Sequence, residues 1–286
     1  MKLLVTGASG YIGARLVPRL AARHSVFTLL RPGASLVAGT NVVPVWGDLR
    51  QLPPDLPDRI DGVVHLAQSR SYRQFPEAAL DMLDVNVNAA VRLIDYARQA
   101  GAHRFCLVSS GSVYEPYTYP LTENAPLAPL GFNGASKLAA EQLLVPYRTL
   151  MPIFVPRLFF PYGPGQTDRL IPDLAQRILN GTPIHVDAEG GGPWIAPLHV
   201  DDAVQILEAG IEGGWNETVN VAGPEAVPLR RVAEIIGRIL GHRPFFEEIE
   251  RPPVHMVPIL DRLRQIYPVD DMFGVEAGLR HMLEAS

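Results

Sequence analysis

The chain has 286 residues, 47% hydrophobic and 19% charged, with a formal net charge of -5. That length accommodates a large α/β domain with a smaller second one, and the composition is that of an ordinary globular protein. The negative balance argues against nucleic acid or an anionic membrane as partner, and no apolar run reaches the ~20 residues that span a bilayer.

Lys2 to Thr6 is a short apolar run and predicts a first strand; it is interrupted too early to serve as a signal peptide, so no sorting signal is expected. Tyr11 to Arg23 places Ile12, Leu16 and Leu20 at helical spacing. Strands are predicted at Val26 to Leu30, Val42 to Val45 and within Asp61 to Ala67. A long helix follows from Ala78 to Ala100, with Leu83, Val87, Ala90, Val91 and Ile94 on one face and Gly101 as its stop. Arg104 to Ser109 is a fifth strand, Ala135 to Leu150 a helix, and Ile153 to Phe159 a sixth strand. The single cysteine, Cys106, sits in the fifth strand and reads as a small buried residue. Having no partner for a disulfide, it suits a reducing cytoplasm.

Strands alternating with helices predict βαβ units and a parallel sheet, whose ligands bind at the carboxyl ends of the strands. After Pro161 the pattern changes. Ile171 to Leu179 and Leu229 to Leu240 read as helices, separated by short strands and by turns such as Glu189-Gly190-Gly191-Gly192-Pro193. The expected architecture is a doubly wound sheet over residues 1–160, joined by late elements at about 196–222, with a smaller substrate-binding lobe from 161–195 and 223–286.

Thr6-Gly7-Ala8-Ser9-Gly10-Tyr11-Ile12-Gly13 follows the first strand and opens a helix. Glycines at G-x-x-G-x-x-G spacing let a pyrophosphate approach the backbone, and a helix start offers free N–H groups and a positive dipole end. The expected cofactor contacts are Gly7, Ser9, Gly10, Tyr11, Ile12 and Gly13. The second strand ends in Leu29-Leu30-Arg31-Pro32, without the acid that binds a ribose 2′-hydroxyl. Arg31 therefore favours NADP, with NAD as the alternative. Only two of the 25 basic residues are lysines, Lys2 and Lys137. Where arginine replaces lysine so freely, Lys137 is marked as a residue whose own chemistry matters.

Further motifs follow in order: Gly47-Asp48-Leu49, His65-Leu66-Ala67, Asn86-Val87-Asn88, Ser109-Ser110-Gly111-Ser112-Val113-Tyr114, Ser136-Lys137, Tyr162-Gly163-Pro164-Gly165, His199-Val200-Asp201-Asp202 and Asn220-Val221-Ala222-Gly223-Pro224. Together with the glycine turn, they make the chain resemble an extended short-chain dehydrogenase/reductase of the NAD-dependent epimerase/dehydratase family. That family is typified by nucleotide-sugar epimerases, dehydratases and 4-ketoreductases. The resemblance implies a Rossmann fold. It implies that Asp48 and Leu49 contact adenine and that Leu66 and Ala67 line the cofactor's path. It gives Ser110 the place of the Ser/Thr that hydrogen-bonds the reacting oxygen, and Lys137 the nicotinamide ribose.

In the family a tyrosine four residues before that lysine moves the proton; here the position is Asn133. A free tyrosine has a pKa near ~10, and bringing it to neutrality takes roughly 4 kcal/mol of local electrostatics. Asparagine has no titratable proton and can only orient or hydrogen-bond. Tyr114, Tyr117, Tyr119 and Tyr162 are nearby aromatic candidates, with packing the favoured role for most. His199 is read as structural, in a helix-initiating turn. The family's Phe-Asn after the sixth strand is Phe159-Phe160 here, and its arginine four residues before the histidine is Ile195. Arg251 is a candidate phosphate contact. Phe160, Trp194 and Ile195 predict a pocket that favours a less polar molecule.

The expected function is an NAD(P)-dependent oxidoreductase or epimerase acting on a carbonyl or secondary alcohol of a small molecule. Its catalytic residues are Ser110, Asn133 and Lys137, its substrate contacts Phe160, Trp194 and Arg251, and it has no metal. The competing expectation is a cofactor-binding but redox-silent relative, serving as sensor, scaffold or non-redox enzyme. No nucleic acid or membrane partner is expected, and a homodimer is left open.

Overall fold

A computed structural model describes residues 1–36, 38–118, 120–187 and 191–285. Tyr119 and the Glu189-Gly190 part of the predicted glycine turn lie outside the described residues. The elements run β1 (Lys2–Thr6), α1 (Gly13–Ala21), β2 (Ser25–Leu30), β3 (Val42–Trp46), β4 (Gly62–His65), α2 (Ala79–Met82), α3 (Ala89–Gln99), β5 (Phe105–Leu107), β6 (Ser109–Ser110), α4 (Phe132–Leu144), β7 (Ile153–Leu158), β8 (Pro161–Tyr162), α5 (Leu170–Leu179), β9 (Ile184–Asp187), β10 (Trp194–Ile195), β11 (Leu198–His199), α6 (Val200–Gly213), β12 (Thr218–Val221), β13 (Val227–Pro228), α7 (Leu229–Leu240), β14 (Phe246–Ile249), β15 (His255–Met256), α8 (Asp261–Arg264) and α9 (Val275–Glu284).

The central sheet has the strand order β12-β7-β5-β4-β1-β2-β3, with β6 beside β7. Strand β1 pairs in parallel with β2 and β4, β2 with β3, β4 with β5, and β5 with β7. Chain order reverses between β1 and β4, and such a reversal is where doubly wound sheets open a ligand crevice. Leu3, Leu4, Val5, Val63, Val64, Phe105 and Cys106 are all buried. This is the reason the strands read as continuous apolar runs: both faces of the sheet are covered. The expected Rossmann-type α/β architecture is present.

Two compact units make up the chain. The first comprises Met1–Pro116, Pro126–Arg157 and Val204–Val219, and the second Tyr117–Ala125, Leu158–Ala203 and Asn220–Ser286. Helix α3 closes one side of the first unit's core with Ala90, Leu93, Ile94 and Ala97. The predicted helix from Ala78 to Ala100 is not one α-helix. A π-helical segment, Leu83–Asn88, separates α2 from α3 and buries Asn86 and Val87. Such wide turns rotate side chains off the ordinary helical face. The helix expected over Ala135 to Leu150 starts earlier, at Phe132, and ends at Leu144. Pro146 lacks an N–H, and a 3-10 segment, Val145–Thr149, takes over there.

The second unit packs α5, α7 and α9 around Ile171, Leu174, Ile178, Val232, Ile236, Leu279 and Met282. Helix α7 closes on Gly241 at φ 71°. Strand β10 pairs with β13 and β15, β14 with β9, and β11 with β8. Among the described residues no helix is long and apolar enough to cross a membrane.

Asp202, in the first turn of α6, is buried and accepts the Phe273 N–H at 3.0 Å. Burial pushes its carboxyl up to about 6; the Phe273 bond opposes this and Asp201 adds to it. The folded state therefore holds this proton more tightly than the unfolded chain. The corresponding stability is present below about pH 4 and is lost as pH rises through about 6. Thermal melts across that window are expected to show a wild-type Tm falling with pH. Asp202→Asn, which keeps an acceptor for Phe273, is expected to flatten that slope, and an unchanged slope would assign it to other groups.

Candidate active site

The glycine turn forms because Gly7 is needed twice over. It has φ 70°, a left-handed conformation that costs other residues, and a Cβ there would lie 2.7 Å from the Ala67 backbone nitrogen. The Gly7 loop thus rests on the Leu66–Ala67 backbone that follows β4. Ser9, Gly10, Tyr11 and Ile12 carry the chain into α1, whose N-terminus has no side-chain cap. A backbone cradle and uncapped N–H groups at the start of a helix fit a dinucleotide pyrophosphate.

Asp48 and Leu49 follow β3. Arg50 donates to Asp81 at 2.6 Å, and its backbone N–H donates to Asp48. Arg31 is exposed just after β2. The Asp81 carboxyl is held below the usual range, chiefly by a hydrogen bond from Ser69, then by Arg50, with a smaller pull from Arg31.

Behind the turn, the Ala67 N–H reaches Thr6 Oγ1 at 3.4 Å, and Thr6 lies 2.7 Å from His65 Nδ1. Burial first, and the charge of Lys137 second, lower His65 to about 3. His65 is therefore a neutral packing residue.

Ser110 begins a 3-10 turn, Gly111–Tyr114, and its Oγ accepts the Ser112 N–H at 3.1 Å. Helix α4 lies against this turn so closely that a Cβ on Gly134 would fall 2.4 Å from the Ser112 carbonyl oxygen. Asn133 and Lys137, one helical turn apart, share a face of α4. Asn133 Nδ2 donates to Ser112 Oγ at 3.4 Å, and its Oδ1 is buried without a partner among the described residues. The Asn133 carbonyl accepts from Ser136 Oγ, which in turn accepts from Asn86 Nδ2. Lys137 is buried and donates to the Val108 carbonyl at 3.1 Å. Burial lowers its ammonium to about 8, and Glu141 partly restores it.

Glu141 accepts from Ser109 and pairs with Arg157 at 2.6 Å, both side chains being buried. Arg157 also donates to the Tyr114 hydroxyl at 2.6 Å. Tyr114 is thus part of a packed network. Sequence reasoning passed over Glu141 and Arg157. An arginine inside the apolar run Ile153-Phe154-Val155-Pro156-Arg157-Leu158 was the available signal, because a buried charge needs a partner.

The remaining predicted residues belong to the second unit. Phe160 follows β7 at φ 44°, a conformation uncommon for a bulky residue. Trp194 lies in β10 and stacks on His255 with ring centroids 6.0 Å apart. Arg251 is exposed after β14, and Ile195 is fully buried. Tyr162 is fully buried, edge-on to His199. His199 Nδ1 accepts the Asp201 N–H at 3.3 Å, which places its proton on Nε2, facing His281 Nδ1 at 3.3 Å. His199, Asp201 and His281 thereby form a hydrogen-bonded group at the start of α6, where a structural histidine was expected. In this tautomer His199 presents its Nδ1 lone pair to the Asp201 N–H and its Nε2 proton to His281.

Gly134→Ala is expected to destabilise the fold by about 1–3 kcal/mol, because the methyl group meets a backbone carbonyl that cannot swing aside. Equilibrium denaturation checks this, and a neutral result would show that α4 can lift off the Ser110–Tyr114 turn.

Comparison with known proteins bears on the family and the fold. Residues 3–222 match the model of the NAD dependent epimerase/dehydratase family. The low-salt glycan biosynthesis protein Agl12 of Haloferax volcanii is 30% identical over 273 residues, covering 87% of this chain and 86% of its own. A 3-diazoavenalumate denitrifying reductase of Streptomyces sp is 32% identical over 255 residues, covering 85% and 83%. The UDP-glucuronic acid 4-epimerase of Bacillus cereus, solved in complex with NAD, shares the fold with a TM-score of 0.85 at 21% identity, over 100% of this chain and 96% of that one. With a match over more than three-quarters of its length, the chain belongs to the NAD dependent epimerase/dehydratase family.

Proposed function

We propose that the protein is an NAD(P)-dependent oxidoreductase or epimerase acting on a small molecule. The observation that carries this reading is the left-handed Gly7, pressed on the Ala67 backbone at the mouth of an uncapped helix, in the same unit as the buried Lys137. In this reading the pyrophosphate takes the N-terminus of α1, and the adenosine end runs past Asp48 and Leu49. Lys137 holds the nicotinamide ribose. Arg31 favours NADP through a 2′-phosphate, with NAD as the alternative because a relative of the same fold was solved with it. The dinucleotide, when bound, supplies or takes up hydride. In the family the carbon that exchanges hydride is a carbonyl carbon, which accepts it, or a secondary alcohol carbon, which gives it up. Ser110 Oγ accepts from Ser112 and keeps its own O–H to offer a substrate oxygen. Asn133 fixes orientation without moving a proton. Phe160, Trp194 and Arg251 are proposed as substrate contacts, and a cytoplasmic location fits the lone buried Cys106.

Asn133 also favours the competing reading, a relative that binds the dinucleotide without turning it over. Calorimetric titration with NADH and NADPH is the deciding experiment. Binding of at least one is expected, and Lys137→Met should weaken it about tenfold or more, through loss of a buried charge-assisted contact. Binding of neither would end the oxidoreductase reading. Binding without oxidation by any acceptor tried would leave the silent one.

A further inference from the structure

Reduction of a carbonyl needs a hydride and a proton. Among the described residues of the first unit, His65, Cys106, Tyr114, Glu141 and Lys137 could carry a proton, and each is buried and, Cys106 apart, hydrogen-bonded to a protein partner. His65 is neutral and hydrogen-bonded to Thr6 through Nδ1. Cys106 is fully buried and its thiol is pushed far up by that burial. The Tyr114 hydroxyl accepts from Arg157, and Glu141 is held by Arg157 and Ser109. Lys137 donates to Val108. At the position that faces the reacting atoms in the family stands Asn133, with Nδ2 turned to Ser112 and a buried, unpartnered acceptor, Oδ1, left over. An acceptor is the wrong polarity for a carbonyl oxygen, which gathers negative charge as hydride arrives. It is the right polarity for a centre that begins positive. A carboxylate, Glu115, lies at the same end of α4, where it accepts the Gly131 N–H at 3.1 Å.

We propose that, in place of the family's carbonyl, the hydride acceptor in this chain is a cation, an iminium or diazonium ion, whose reduction needs no proton from the protein. This rests on the dinucleotide-binding reading above. With an iminium ion, hydride forms the C–H bond while the C=N π pair moves onto nitrogen, giving a neutral amine. With a diazonium ion, the C–H bond forms and the C–N pair leaves on N2. In both cases the reduced nicotinamide dinucleotide gives up two electrons and the charge balances without a proton. One relative is named for the denitrifying reduction of a diazo compound, a nitrogen group chemically related to the diazonium ion. Asn133 Oδ1 faces the positive centre, and Lys137 keeps to the ribose.

The test uses the full chain and three probes: N-methyl dihydroisoquinolinium, a permanent iminium ion; para-methoxybenzenediazonium; and α-tetralone as a neutral ketone of similar size. Calorimetry on protein loaded with a redox-inert tetrahydro form of the dinucleotide should show the iminium ion binding about tenfold tighter than the ketone. Asn133→Asp should tighten the cation by a further factor of about ten, and Asn133→Leu should loosen it. Equal affinities for cation and ketone, or weaker cation binding in Asn133→Asp, would overturn the proposal. In turnover, oxidation of the reduced dinucleotide above the protein-free rate is expected with at least one cation. It should show no solvent deuterium isotope effect and should persist in Tyr117→Phe. Which cation turns over separates the iminium from the diazonium source. Faster reduction of the ketone, or a solvent isotope effect lost in Tyr117→Phe, would overturn the proposal by revealing a protein proton donor. Dinucleotide binding without cation preference removes this inference alone, whereas failure to bind either dinucleotide removes the reading beneath it as well.

Discussion

The buried ion pair between Arg157 and Glu141 is the constraint on which the site depends. It joins β7 to α4 within the first unit and gathers Ser109 and Tyr114 into one network. Two buried charges are costly to desolvate, and this pair meets the cost with bidentate geometry and further hydrogen bonds. Losing one partner would leave a stranded charge, at about 3–5 kcal/mol. The network also explains how α4 turns Ser136, Lys137 and Glu141 toward the interior. Glu141 faces two ways: it neutralises Arg157, and its charge keeps the Lys137 ammonium from falling further below its ordinary range.

Much of the fold was legible in the sequence for one physical reason. Strands covered on both faces appear as largely apolar runs, and β1, β2, β4 and β7 are such runs, with Arg157 the charged exception in β7. The glycine turn was legible because only glycine satisfies the backbone there. Helix α4 was harder, since its buried face holds polar side chains that break the hydrophobic periodicity. The π-helical segment before α3 left no signal, because a wide turn differs from an α-turn by a single residue and has no fixed residue preference. The two-residue strands β8, β10, β11, β13 and β15 are too short to carry a period.

The site was legible in part. Asn133 and Lys137 stood out from their motif, and their spacing alone places both on one helical face. What the sequence did not reveal was polarity: which end of the Asn133 amide is engaged and which is left over follows from where Ser112 lies, and Ser112 reaches it only because Gly134 lets the helix close on the turn. The hydrogen bond between Thr6 and His65 was hidden similarly, since the two residues lie 59 positions apart and meet only through the pairing of β1 with β4.

Phe160 shows how far a backbone and its side chain can be separable. Its left-handed φ of 44° is a shape that asparagine or glycine would take without strain, and the Leu198 N–H clasps its carbonyl at 3.2 Å. An aromatic ring is therefore carried on a main-chain shape that suits a short polar side chain. Exchanging Phe160 for asparagine would need no new path for the main chain: the backbone already holds the conformation, and only the side chain would change.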